Sequence, residues 1–205
     1  MSSLRTITGF KERLAGGGAR PNLFEVEIPS FPAPITNLWK AGAGQEIDTF
    51  KFLCKAAALP ASTVAPIDVP FRGRILKVAG DRTFDTWTVT IINDEDFKLR
   101  TAFEQWMNQI SKLDNATGAT SPTSYMVNAF VYQLGRGASR FSDGNTDNLT
   151  NTALRTYKFY DIFPTNVSQI DLSYDTSDTI EEYTVEFQVQ WWQAEGTDQT
   201  NTEIR

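Results

Sequence analysis

The most regular pattern in the chain lies between Arg82 and Leu113. Over Arg82–Ile92, Trp87, Val89 and Ile91 share one face with Asp85, while Phe84, Thr86, Thr88, Thr90 and Ile92 share the other. A period of two marks a strand with two chemically distinct faces. Asn93 or Asp94 is placed to cap a following helix, and Glu95 and Asp96 suit its positive end. Leu99, Phe103, Trp106, Ile110 and Leu113 then recur at helical spacing, with Ala102 and Met107 widening the stripe. This predicts a helix with one face in the core.

The same reading extends along the chain. Ser3–Leu14 predicts a short helix with Leu4, Ile7, Phe10 and Leu14 on one stripe, ended by Gly16, Gly17 and Gly18. Ala19–Pro29 predicts a strand with Phe24, Val26 and Ile28 on one face. Trp39–Gly44 is a loop, and Phe50–Leu59 is a strand. Val64–Phe71 and Arg74–Ala79 read either as two arms of a hairpin about Gly73 or as a long excursion, made polar by Asp68, Arg72, Arg74 and Lys77, a composition that suits a piece projecting from the core. Ser124–Leu134 is a strand with Met126, Phe130, Tyr132 and Leu134 mostly on one face. Leu154–Phe163 is another, ending in a turn at Pro164–Asn166. Val167–Tyr174 and Ile180–Trp192 form an antiparallel pair in which Tyr183, Val185, Phe187, Val189 and Trp191 share a face. Eight or nine strands and one central helix predict a mainly β fold. The form expected is a single antiparallel β-sandwich or barrel with one packed α-helix and a short N-terminal helix.

Domain organisation follows from the interruptions. Residues 1–205 read as one domain with an N-terminal arm at 1–18, loop insertions at 31–48 and 135–152, and a loose tail at 193–205. A hydrophobic content of 40% with 12% aromatics suits a folded chain.

Composition removes much chemistry. The chain has no histidine and one cysteine. The commonest general base and metal ligand is thus missing, and no Ser-His or Cys-His nucleophile can form within one chain. No metal site or cofactor is expected, and the triple glycine lacks any phosphate-binding frame around it. Cys54 sits in the apolar run FKFLCKAAAL and reads as a buried small hydrophobe. The Met1–Gly18 segment lacks the apolar core of a signal peptide, and no stretch is long enough to span a membrane as a helix. Net charge is −6, but residues 155–205 carry 10 acidic and 3 basic residues. That balance argues against ordinary binding to a phosphate backbone.

Four blocks carry a resemblance: ARPNLFEVEI at Ala19–Ile28, FKFLCKAAALPA at Phe50–Ala61, KVAGDRTFDTWTVTIINDE at Lys77–Glu95, and FPTNVSQIDLSYDTSDTIEEYTVEFQVQWW at Phe163–Trp192. In this order they resemble the tail tube proteins of contractile-tailed phages of the T4 kind. Phe31–Asp48 and Gly135–Thr152 look like departures from that pattern. The resemblance implies a non-enzymatic virion protein, assembled in the host cytoplasm, whose hexameric rings stack into a hollow tube. The implied partners are further copies of itself, the tail sheath, baseplate and tail terminator proteins, and phage DNA that passes through the lumen without specific binding. It implies no membrane partner. It also makes the projecting 61–79 region a candidate ring-to-ring contact, with Arg72, Arg74, Lys77 and Asp68 as contact residues and Leu99, Phe103, Trp106 and Ile110 as the core helix. A tube from a genome-less contractile particle is a close alternative. A soluble β-sandwich binding module is a reading from another class, because five tryptophans could stack on sugars. Trp87, Trp106 and Trp191 nevertheless lie on apolar stripes.

Overall fold

The computed structural model describes residues 6–13, 18–32, 35, 50–51, 53–135, 153–175 and 178–196. The expectations for Trp39–Gly44, for residues 136–152 and for 197–205 lie outside them. Among the described residues are helices α1 (Ile7–Arg13) and α2 (Lys98–Ile110), with a 3-10 turn at Pro122–Ser124. The strands are β1 (Phe24–Glu27), β2 (Cys54–Ala57), β3 (Ser62–Phe71), β4 (Arg74–Phe84), β5 (Trp87–Ile92), β6 (Val127–Leu134), β7 (Ala153–Val167), β8 (Glu182–Gln188) and β9 (Trp191–Gly196). The architecture is mainly β with antiparallel pairing, as the sequence implies. One sheet runs β1-β6-β7-β8-β5-β2, with β9 paired to β7, and β3 and β4 form a separate two-stranded sheet.

Contacts gather the chain into two compact units. One draws on Met1–Glu25, Val131–Tyr157 and Ala194–Arg205. Within it the Leu134 N–H donates to the Leu23 carbonyl at 2.9 Å, and Gln133 Nε2 donates to the carbonyls of Arg20 and Leu23. The other unit, Val26–Phe130 with Lys158–Gln193, holds most of the buried residues.

The core of this second unit follows from the alternation. In the β5–β8 register Trp87 faces Phe187, Val89 faces Val185 and Ile91 faces Tyr183, and all six side chains are buried. The intervening pairs, Thr88–Glu186, Thr90–Thr184 and Ile92–Glu182, lie on the opposite face. Helix α2 buries Leu99, Ala102, Phe103 and Trp106, while Ile110 is half-buried. Phe103 meets Phe31, Phe50 and Phe187 edge-on at centroid distances of 6.0, 6.1 and 5.8 Å. Edge-to-face pairs of this kind add to the stabilisation from area burial alone. The Trp106 indole N–H donates to the Tyr125 carbonyl at 2.7 Å, so its one polar atom is satisfied inside the core. Cys54 is buried, and desolvation pushes its thiol up to about 12, with a weaker opposing effect from a backbone hydrogen bond with Ala56.

Several sequence expectations are corrected here. Arg82–Ile92 is two strands, because Asp85 and Thr86 leave the ladder and Arg82–Phe84 pairs with Ser62–Val64 instead. Neither Asn93 nor Asp94 caps α2. The Phe97 N–H closes a turn on the Asp94 carbonyl, and Phe97 itself is the N-cap in left-handed conformation, φ 53°. Glu95 and Asp96 therefore precede the helix, which ends before Leu113, and Leu113 is 94% exposed. Phe50–Leu59 begins with helical residues before β2. On β6 the core takes Ala129 and Val131, and the Phe130–Tyr132–Leu134 side is only half-buried. Pro164 is not a turn residue: β7 continues to Val167, with an irregularity at Thr165, whose hydroxyl donates to the Glu186 carbonyl at 3.1 Å. Val167–Tyr174 is largely outside any strand, and β8 pairs with β7 and β5. Trp191 is 41% exposed and stacks on Tyr160 at 3.7 Å, and Gln193 lies within β9 instead of a loose tail.

Candidate functional site

The β3–β4 ribbon is exposed along nearly all of its length. All of β3 is exposed, and β4 is exposed except at Gly80 and Phe84. Its turn is Arg72-Gly73, closed by Phe71 opposite Arg74. Both central residues have positive φ, 44° and 81°. That is the pattern of the tight turn whose twist matches its flanking strands, and glycine supplies half of it without strain.

The register sorts the ribbon into two faces. Ile67 opposes Val78, Val69 opposes Leu76 and Phe71 opposes Arg74. Alternation then puts Asp68–Lys77 and Pro70–Ile75 on the other face. The first face is apolar, yet Ile67, Val69, Phe71, Leu76 and Val78 are 42–66% exposed. A lone two-stranded hairpin is marginal in water. A contiguous exposed apolar face marks a surface that another molecule covers.

A break in register near the base sets the ribbon's course. Val64 opposes Arg82, but Pro66 opposes Ala79, so β4 carries an extra residue at Gly80-Asp81. A Cβ at Gly80 would lie 2.7 Å from the Ala65 carbonyl oxygen. The bulge therefore needs glycine, and bulges of this kind bend and twist a strand pair. Pro66 and Pro70 stand within β3, which is tolerated because a two-stranded ribbon has an open edge on each strand.

The four contact residues selected from sequence all lie on this ribbon. Lys77 Nζ and Asp68 Oδ1 are 2.9 Å apart as directly opposed cross-strand partners. With side chains 65% and 50% exposed, the pair contributes at most about 1 kcal/mol to folding. The Arg72 guanidinium lies over the Phe71 ring at 5.5 Å. Arg72 and Arg74 flank Gly73 at the tip. The sequence reading missed the apolar face itself. Its signal was present in the alternation Ile67-Val69-Phe71 and Leu76-Val78, but the charges drew the attention.

Two further observations bound the chemistry. Among the described residues no group of three or more Cys, Asp or Glu side chains is arranged to hold a metal ion. No described helix is long and apolar enough to cross a membrane.

Comparison with known proteins identifies the family. The family model described as phage tail tube protein matches residues 19–195. The tail tube protein gp19 of Enterobacteria phage T4 is 35% identical over 179 residues, covering 87% of this chain and 93% of that protein. The tail tube protein of Serratia phage KSP90 is 26% identical over 183 residues, covering 88% and 92%. Among solved structures, a chain of the anti-feeding prophage baseplate superposes with TM-score 0.58 at 13% identity, covering 89% of this chain and 98% of that one. A chain of an extracellular contractile injection system, from its sheath-tube complex in the extended state, gives TM-score 0.54, also at 13% identity, covering 91% and 97%. At these identities the structures speak to the fold, and the sequence relatives speak to the family. The chain belongs to the phage tail tube protein family, and is a structural component of a contractile phage tail of the T4-like kind.

Proposed function

We propose that the protein acts by self-assembly alone, without catalysis: its subunits close into hexameric rings, the rings stack into the inner tube, and the tube conducts phage DNA during ejection. The ribbon is the ring-to-ring contact. The observation that carries this is the wholly exposed β3, with five large apolar side chains on one face left 42–66% exposed. A folded domain gains nothing from such a face unless a second molecule buries it. Tail sheath, baseplate and tail terminator proteins are the other proposed partners. The superposed solved chains come from a sheath-tube complex and a baseplate, which supports that reading by analogy of fold.

The acidic balance of residues 155–205 suits a conduit. Carboxylates facing DNA repel phosphates and leave the duplex free to slide, where lysines would hold it. Electron microscopy of the purified full chain tests the proposal directly. Long tubes of stacked six-fold rings are expected, and a monomer at every concentration would refute it. A Val69→Asp, Leu76→Asp variant should leave single rings or monomers with an intact fold. Normal tubes from that variant would remove the ribbon from the contact.

A further inference from the structure

The ribbon's tip and a groove elsewhere in the chain are complementary in two independent ways. The groove, ≈ 630 Å³ and open to solvent, is lined by residues 169–174 and 179–182. Leu172, Tyr174 and Ile180 stand at its walls and are 80%, 107% and 70% exposed. These are unusual exposures for large apolar side chains on one short segment. The segment from Gln169 to Glu182 also carries five carboxylates, Asp171, Asp175, Asp178, Glu181 and Glu182, and no basic residue.

The tip has the opposite composition. From Val69 to Leu76 it carries Arg72 and Arg74 and no carboxylate. Phe71 and Ile75 there are 66% and 63% exposed. Lys77 is already matched by Asp68, so the two arginines are the tip's charge for an outside partner. In the groove, Glu182 is matched by Lys55 and Glu181 by the Asn93 amide. Asp171 accepts from a neutral donor, Gln169 Nε2, at 3.2 Å. Asp171 lines the groove and the exposed Asp175 follows four residues on, so these carboxylates are offered to a guanidinium.

We propose that the ribbon tip of one subunit docks in the groove lined by residues 169–174 and 179–182 of a second copy, with Phe71 and Ile75 against Leu172, Tyr174 and Ile180, and Arg72 and Arg74 against Asp171 and Asp175. This rests on the tube reading above and names the receiving surface for its ribbon. Both patches are exposed within one chain, so a subunit's tip does not fill its own groove. The two patches are different surfaces, so the contact is heterologous and leaves a free tip and a free groove at either end of an assembly. Contacts of that type propagate. Opposed charge sets register and speeds encounter, while the apolar contact supplies the cohesion.

A charge-swap experiment on the full chain tests this, with the critical concentration for tube growth read by sedimentation and microscopy. Arg72→Asp with Arg74→Asp should raise it at least about tenfold, and so should Asp171→Arg with Asp175→Arg. Combining all four changes in one chain should return it to within about threefold of the parent, because every tip then meets a groove of reversed sign. A photo-crosslinking benzophenone side chain placed at position 71 should join, in assembled tubes, to a peptide within 169–182 of another copy. A cross-link to another ribbon or to any other segment overturns the groove assignment, as does a groove variant with the parent's critical concentration. Either result leaves the tube itself standing. A parent protein that forms no tubes removes both readings.

Discussion

Leu76→Ser isolates what the apolar face of the ribbon does. Leu76 is 60% exposed, so the folded monomer makes little use of it. Full burial of a leucine side chain is worth about 1.5–3 kcal/mol. More than half of that remains available, so covering it in an assembly should yield about 1–1.5 kcal/mol. Replacing it with serine should weaken each ring-to-ring contact by that amount, which corresponds to a roughly tenfold rise in the critical concentration. The monomer should lose far less, under about 0.5 kcal/mol, because the position is on the surface. Two assays on one preparation separate the effects: sedimentation of tubes across a dilution series, and chemical denaturation below the critical concentration. A variant with an unchanged critical concentration but a markedly less stable monomer would refute the reasoning. Leu76 would then be supporting its own chain.

Other perturbations address the body and the bulge. Phe103→Ala removes a fully buried ring with three aromatic neighbours, and should cost about 3–5 kcal/mol in a denaturant titration. Trp106→Phe leaves the Tyr125 carbonyl without its indole donor and should cost about 1–3 kcal/mol in the same titration. Gly80→Val drives a Cβ against the Ala65 carbonyl. It should redirect the ribbon, so that tubes vanish or change helical geometry in microscopy while the circular dichroism of the body is kept. Burial raises the pKa of both Cys54, to about 12, and Tyr183. Groups whose folded pKa is raised stabilise the fold fully below the unfolded value, and that stabilisation is lost as pH rises through the folded one. Unfolding free energy should therefore fall from about pH 9 upward, and Cys54 should resist thiol reagents at pH 8 until denaturant is added.

The parts of the fold legible in the sequence were those with one dominant period and one dominant neighbour. Trp87, Val89 and Ile91 alternate against polar residues, and they pack as the alternation implies. Leu99, Phe103 and Trp106 recur at helical spacing and meet the same core. Reading failed where both faces are apolar or where the period slips. On β6 large aromatics occupy the half-buried side, and the core takes the smaller Ala129 and Val131. On β7 the buried positions pass from Phe159 to Ile162 across Asp161, whose φ of 53° changes the parity of the strand. Pro164 looked like a turn for the sound reason that it cannot donate to a ladder, yet a local register shift accommodates it. The ribbon's alternation was visible, but whether a strand's apolar face meets a core or meets water depends on the rest of the chain. The pairing of Asp68 with Lys77 likewise required the register.

The prolines of β3 bear on how such a subunit survives before it polymerises. A single subunit carries a long, apolar, two-stranded ribbon in the open. That is the kind of segment that recruits further strands and precipitates as cross-β aggregate. Pro66 and Pro70 withhold two backbone donors from that strand. Sheet growth along it would leave gaps in the hydrogen-bond ladder, whereas burial of a face needs no backbone donor at all. A ribbon that can be covered by its side chains is thereby protected against zipping together by its main chain, which favours ordered assembly over the disordered kind.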